Sequence, residues 1–73
     1  MTDRVFLQKL GKRIESLRES AGLSRQILAE KVGISRMQLY RIETGSGDGN
    51  PSILVLRKIS KELKVLLSEL IIT

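Results

Sequence analysis

The sequence predicts an all-α fold: one compact domain of five helices, with no strand. Apolar residues recur every three or four positions along most of the 73 residues, which is the period of a helix face. Small capping residues precede these stretches, and glycine follows several of them. A single clear loop, Gly45 to Asn50 (GSGDGN), interrupts the pattern. A hydrophobic content of 41% and a mean hydropathy of −0.03 are those of a folded chain. Phe6 and Tyr40 are its only aromatic residues, so the core must be built from Leu, Ile and Val.

The first helix carries Phe6, Leu10, Ile14, Leu17 and Ala21 on one face. Asp3 is the expected N-cap and Gly22 the closing residue. Gly11 falls inside this pattern and weakens it slightly. Ser24 caps a short second helix with Leu28, Ala29 and Val32, which Gly33 ends. Ser35 caps a third helix with Leu39 and Ile42 on its inner face. Two helices joined by a tight glycine turn form a helix-turn-helix unit. After the loop and Pro51, Ser52 caps a fourth helix whose expected core face is Ile53, Leu56, Ile59 and Leu63. Val65 to Ile72 form a last, nearly apolar segment.

The chain has no Cys and no His. That removes disulfides, thiol nucleophiles, Ser-His triads and the usual soft metal ligands, so neither an enzyme nor a metal or cofactor site is expected. Thirteen Lys and Arg against eight Asp and Glu give a net charge of +5, which favours a polyanionic partner, nucleic acid before membrane. The start of the chain is polar, and Val5-Phe6-Leu7 is too short for a signal-peptide core. Ile53 to Leu56 is far too short to span a bilayer. A cytoplasmic protein is the expectation.

The residues from Arg25 to Thr44 (RQILAEKVGISRMQLYRIET) hold the informative spacing. Leu28, Val32, Ile34, Leu39 and Ile42 anchor two crossing helices, and Ala29 is small where they approach. Gly33 stands where the turn requires a positive φ. On the third helix Arg36, Met37, Tyr40, Arg41 and Thr44 share the face opposite Leu39 and Ile42. Arg18 and Glu43 each border an apolar stripe, which suggests a partly buried ion pair between the first and third helices.

These residues, with Leu10-Gly11-Lys12-Arg13-Ile14, Gly22-Leu23-Ser24, Arg41-Ile42-Glu43-Thr44-Gly45 and Asn50-Pro51-Ser52, strongly resemble the lambda-repressor-like helix-turn-helix family, also called the Cro or Xre family. The resemblance implies a helix at about 36–44 lying in the major groove of double-stranded DNA. Arg36, Met37, Tyr40 and Arg41 would then read base edges, since Arg pairs with guanine while Met and Tyr pack on thymine methyls. Ser24, Arg25, Ser35 and Thr44 would meet the phosphate backbone. The chain departs from the family in three places. The loop has more residues than is common and carries Asp48 where a basic residue is usual. Lys64 replaces a common Gly, and Leu54 and Leu66 stand at positions that are commonly polar. With Leu67, Leu70 and Ile71, these leucines point to a homodimer interface that would match a palindromic operator. The implied function is a transcriptional regulator, a repressor or autoregulator; small members of the family include restriction–modification controllers and antitoxins that autoregulate their operons, and the sequence does not choose between them. The alternative is a protein-interaction module such as an antitoxin, with a toxin or other regulator as partner. The terminal segment has too few basic residues for membrane binding.

Overall fold

The computed structural model describes residues 2–46 and 50–71. Among them lie five helices and no strand: α1 (Asp3–Ser20), α2 (Arg25–Val32), α3 (Arg36–Thr44), α4 (Ile53–Glu62) and α5 (Leu67–Leu70). Four of the five starts are set by a hydroxyl that accepts a hydrogen bond from an otherwise unpaired backbone N–H of the first turn. Ser24 Oγ accepts from Ile27 at 3.1 Å, Ser35 Oγ from Gln38 at 3.0 Å and Ser52 Oγ from Val55 at 3.1 Å. At α1 the cap is Thr2, whose Oγ1 accepts from Val5 at 3.2 Å. The expected cap, Asp3, is instead the first helical residue, where its carboxylate faces the positive end of the helix dipole.

The turn between α2 and α3 consists of Gly33, Ile34 and Ser35. Gly33 adopts φ +87°, a left-handed conformation, and its N–H donates to the Ala29 carbonyl at 2.8 Å. α4 ends in a comparable hydrogen-bonded turn, but there the left-handed residue is Lys64, at φ +58°. The N–H of Val65 donates to the Ser60 carbonyl at 3.0 Å and that of Lys64 to the Lys61 carbonyl at 3.2 Å. Both bonds close the helix in the pattern that usually carries glycine.

Helix α1 packs on α3 and α5, α2 packs on α3 and α4, and α4 packs on α5. The shared core is Leu10, Ile14, Leu28, Ala29, Val32, Leu39, Ile42, Leu56, Ile59, Leu63 and Leu70. Each fully buried Leu or Ile contributes about 1.5–3 kcal/mol relative to an exposed one. Gly11 is part of this packing: a Cβ there would collide with the carbonyl oxygens of Ile42 and Glu43. The glycine that weakens α1 locally is what lets α3 lie against it.

Three expectations about the C-terminal half are corrected. Ile53 is 65% exposed and outside the core, because Val55, Leu56 and Ile59 take the inner side of α4. The last helix is Leu67–Leu70 rather than the whole of Val65–Ile72, since Lys64 is left-handed and Leu66 extended. Leu70, expected at a dimer interface, is fully buried in the domain's own core, and Arg13 Nη1 donates to its carbonyl at 3.0 Å. Leu67 also packs against that core and is only partly exposed. Gly47, Asp48, Gly49 and Ile72 lie outside the described residues.

Candidate nucleic-acid interface

Helix α3 is short and two-sided. Leu39, Ile42 and Glu43 are buried against the domain, while Arg36, Met37, Tyr40, Arg41 and Thr44 are exposed. Met37 is 56% and Tyr40 47% exposed. These are large side chains to leave in water, and they stand together with two cations that make no ion pair among the described residues. Arg25, at the start of α2, joins Arg36, Met37 and Tyr40 around one concavity of about 320 Å³. The turn that joins α2 to α3 therefore brings a cation of the first helix beside the exposed face of the second.

Ser24 and Ser35 both act as caps. Each hydroxyl oxygen accepts from the backbone, leaving its own hydrogen available to a partner outside the fold. At Ser35 the cap is reciprocal, since the Gln38 side chain accepts from the Ser35 N–H at 2.9 Å. Thr44 spends its hydroxyl locally: Oγ1 donates to the Tyr40 carbonyl at 2.9 Å and lies 2.8 Å from Ser46 Oγ.

Arg18 and Glu43 are brought together as their positions suggested. Arg18 Nε lies 2.8 Å from Glu43 Oε2 and Arg18 Nη2 lies 3.2 Å from Oε1, a bidentate pair whose carboxylate is fully buried. The Glu43 hydrogen bond raises the Arg18 pKa above its ordinary value against the opposing effect of burial. A third donor of Arg18, Nη1, reaches the Leu23 carbonyl at 2.9 Å.

Two further members of this cluster, Arg25 and Glu15, are not paired by any spacing in the sequence. Arg25 Nε donates to Glu43 Oε1 at 2.9 Å, and Arg25 Nη2 lies 3.3 Å from Oε2 of Glu15 on α1. The same guanidinium stands over the Tyr40 ring, 5.2 Å from its centroid. Arg25 and Glu43 are too far apart in sequence for helical spacing to pair them. Glu15 precedes Arg18 by one turn on the same edge of α1, the one local hint available. Ser60, buried on α4, was also not foreseen; its hydroxyl donates to the Arg57 carbonyl at 2.8 Å. Of the expected interface residues, Leu54 and Leu66 are 54% and 67% exposed and Ile71 is exposed at the end of α5. Nothing in the structure explains the exposed Ile27.

Residues 14–70 match the helix-turn-helix family model HTH_3. Among curated proteins no match is found. Similar solved structures include these two. One is the restriction–modification controller protein C.AhdI from Aeromonas hydrophila, with 33% identity, a TM-score of 0.81, and coverage of 88% of this chain and 94% of that one. The other is an HTH_3 family transcriptional regulator from Vibrio cholerae, with 33% identity and a TM-score of 0.82. There the match covers 94% of this chain and 38% of that one. A match across all five helices, around an exposed and cationic second helix of the motif, goes well beyond a bare helix-turn-helix: the chain belongs to the HTH_3 family of Cro/C1-type helix-turn-helix DNA-binding transcription regulators.

Proposed function

We infer that the protein is a sequence-specific regulator of transcription that binds a palindromic operator as a homodimer and represses, its own promoter included. The observation that carries this reading is the outer face of α3. Arg36, Met37, Tyr40 and Arg41 are presented together, two of them cations with no ion pair among the described residues and two large side chains in water. In the major groove Arg36 and Arg41 read guanine edges, and Met37 and Tyr40 pack on thymine methyls. Ser24, Arg25 and Ser35 fix the register on the phosphates, and Thr44 joins them by turning its hydroxyl away from the Tyr40 carbonyl. Leu54, Leu66 and Ile71 supply the apolar contact between protomers, and the protein works in the cytoplasm on the nucleoid. The likeness to a restriction–modification controller, over nearly the full length of both chains, supports the regulator class.

Selection of bound duplexes from a randomised pool at near-physiological salt tests this reading. The expected result is a palindrome with half-sites about one helical turn, roughly 34–36 Å, apart. Weak, salt-sensitive binding without enrichment overturns it. On the selected duplex, Arg36→Ala costs about 1–3 kcal/mol and relaxes preference at one base pair. Equal losses on selected and random duplexes would show that Arg36 contacts backbone, not bases.

The exposed Leu54 and Leu66 favour one second reading, a module that holds a protein partner such as a toxin, with DNA binding secondary. Size-exclusion of the isolated protein separates the two. A clean dimer supports the regulator, and a monomer that dimerises at no accessible concentration supports the partner.

A further inference from the structure

The guanidinium of Arg25 is placed where a backbone-contacting cation is wanted, yet it is already engaged. Its Nε donates to the buried Glu43 carboxylate at 2.9 Å, its Nη2 lies 3.3 Å from Glu15, and its plane covers Tyr40. Glu43 is also shared with Arg18, so the four charged groups sum to zero. Of the two carboxylates that hold Arg25, Glu43 is fully buried and fixed by Arg18. Glu15 is 37% exposed and, among the described residues, has Arg25 as its one side-chain hydrogen-bond partner, acting on Arg18 only through space, while Arg25 itself is 28% exposed. Glu15 is therefore the member of the cluster that can be removed without unmaking the core.

We propose that Glu15 is a positioning residue for DNA recognition, resting on the reading of α3 given above. Its carboxylate clamps Arg25 against Glu43 and over Tyr40, with two consequences. It offsets part of the charge of a cation that meets phosphates of any sequence, which lowers non-specific affinity. It also fixes the Tyr40 ring beside Arg36 and Met37, so that the base-reading surface is ordered before DNA arrives. Glu15 thus exchanges general grip for discrimination.

The test uses Glu15→Gln and Glu15→Asp in the full chain. The second variant keeps the charge but withdraws the carboxylate by one methylene. For each, affinity for the selected duplex and for a random duplex is measured across a salt series. Glu15→Gln is expected to tighten random-duplex binding by about fivefold near 0.15 M salt and to steepen the salt slope by roughly one unit. The preference for the selected duplex falls accordingly. In an Arg25→Ala background the same substitution is expected to lose most of its effect. An equal effect in that background means that Glu15 acts only as a surface charge, and the proposal fails. A DNA-free readout accompanies these. Tyr40 is the sole tyrosine and the chain has no Trp, so its ring resonances are unambiguous by NMR. Both Glu15 variants should shift them while leaving those of Phe6 in place. Unmoved Tyr40 resonances overturn the clamp whatever DNA does. A wild-type protein that binds no duplex at all overturns the regulator reading instead, and leaves the ring measurement to decide the contact.

Discussion

Glu43 receives hydrogen bonds from two guanidinium groups in a site that excludes water, so its removal does more than delete a contact. In Glu43→Ala the Arg18 charge stays buried with only the Leu23 carbonyl left to it. Stranding one member of a buried pair costs about 3–5 kcal/mol. For a domain of this size that lowers Tm by about 12–40 °C, since 1 kcal/mol corresponds to roughly 4–8 °C. A thermal melt that falls by less than about 5 °C would show that Arg18 escapes to solvent. The effect of Arg25→Ala on stability is expected to be small, about 0–1 kcal/mol, because that side chain is partly exposed and solvent screens it. Gly11 poses the opposite problem. Helix propensity alone favours Gly11→Ala by up to about 1 kcal/mol. The added Cβ, however, would lie 2.6 Å from the Glu43 carbonyl oxygen and closer still to that of Ile42. Backbone atoms of α3 cannot rotate away as a side chain would, so α1 and α3 must separate. The expected net result is destabilisation by about 1–3 kcal/mol, as for other overpacked cores. A raised Tm would mean that α1 slides on α3 without cost.

Helix by helix, what the sequence made legible was local chemistry. Ser24, Ser35 and Ser52 cap within three residues of the N–H groups they satisfy, and Gly22, Gly33 and Gly45 take positive φ where a helix closes. Such signals are written in adjacent residues. What escaped depends on residues distant in the chain. Gly11 reads as a flaw until α3 lies on it, Arg25 reads as free until Glu43 and Glu15 reach it, and Leu70 reads as surplus until α1 and α4 cover it. The face of α3 was legible because a helix period alone separates Leu39 and Ile42 from Arg36, Met37, Tyr40 and Arg41. Lys64 lies between these cases. A lysine where the family has glycine was visible as a departure, and the structure supplies its consequence. At φ +58° the lysine Cβ crowds the following carbonyl, a cost of roughly 1–2 kcal/mol that glycine does not incur. Glycine gives part of this back through its freer unfolded chain, about 0.4–1 kcal/mol. Lys64→Gly is therefore expected to stabilise the protein by about 1 kcal/mol, a rise in Tm of roughly 4–8 °C. A fall in Tm would indicate that the lysine side chain itself holds the α4–α5 junction.

For the molecule as a whole, charge and apolar surface make opposite demands. Each chain carries +5, and on α4 the exposed Leu54 is grouped with Arg57, Lys58 and Lys61. Two copies meeting through Leu54, Leu66 and Ile71 would bring like charges together, and salt screens that repulsion over a distance of about 8–10 Å at 0.10–0.15 M. Binding to DNA has the reverse dependence, because each neutralised phosphate releases counterions that added salt opposes. Dimerisation should therefore strengthen between low and moderate salt while operator affinity weakens. Sedimentation and duplex titration over the same salt series separate the two equilibria in one protein. Leu66→Glu sharpens the test. Leu66 is exposed and outside the core, so the substitution should leave Tm within a few degrees. It would nevertheless place a desolvated carboxylate in a dimer contact. The expected variant is a folded monomer that binds a half-site and loses the cooperative affinity of the palindrome. A Leu66→Glu protein that remains dimeric at micromolar concentration would move the interface away from α5. The pairing would then have to be sought on the remaining exposed face of α4, around Ile53 and Leu54.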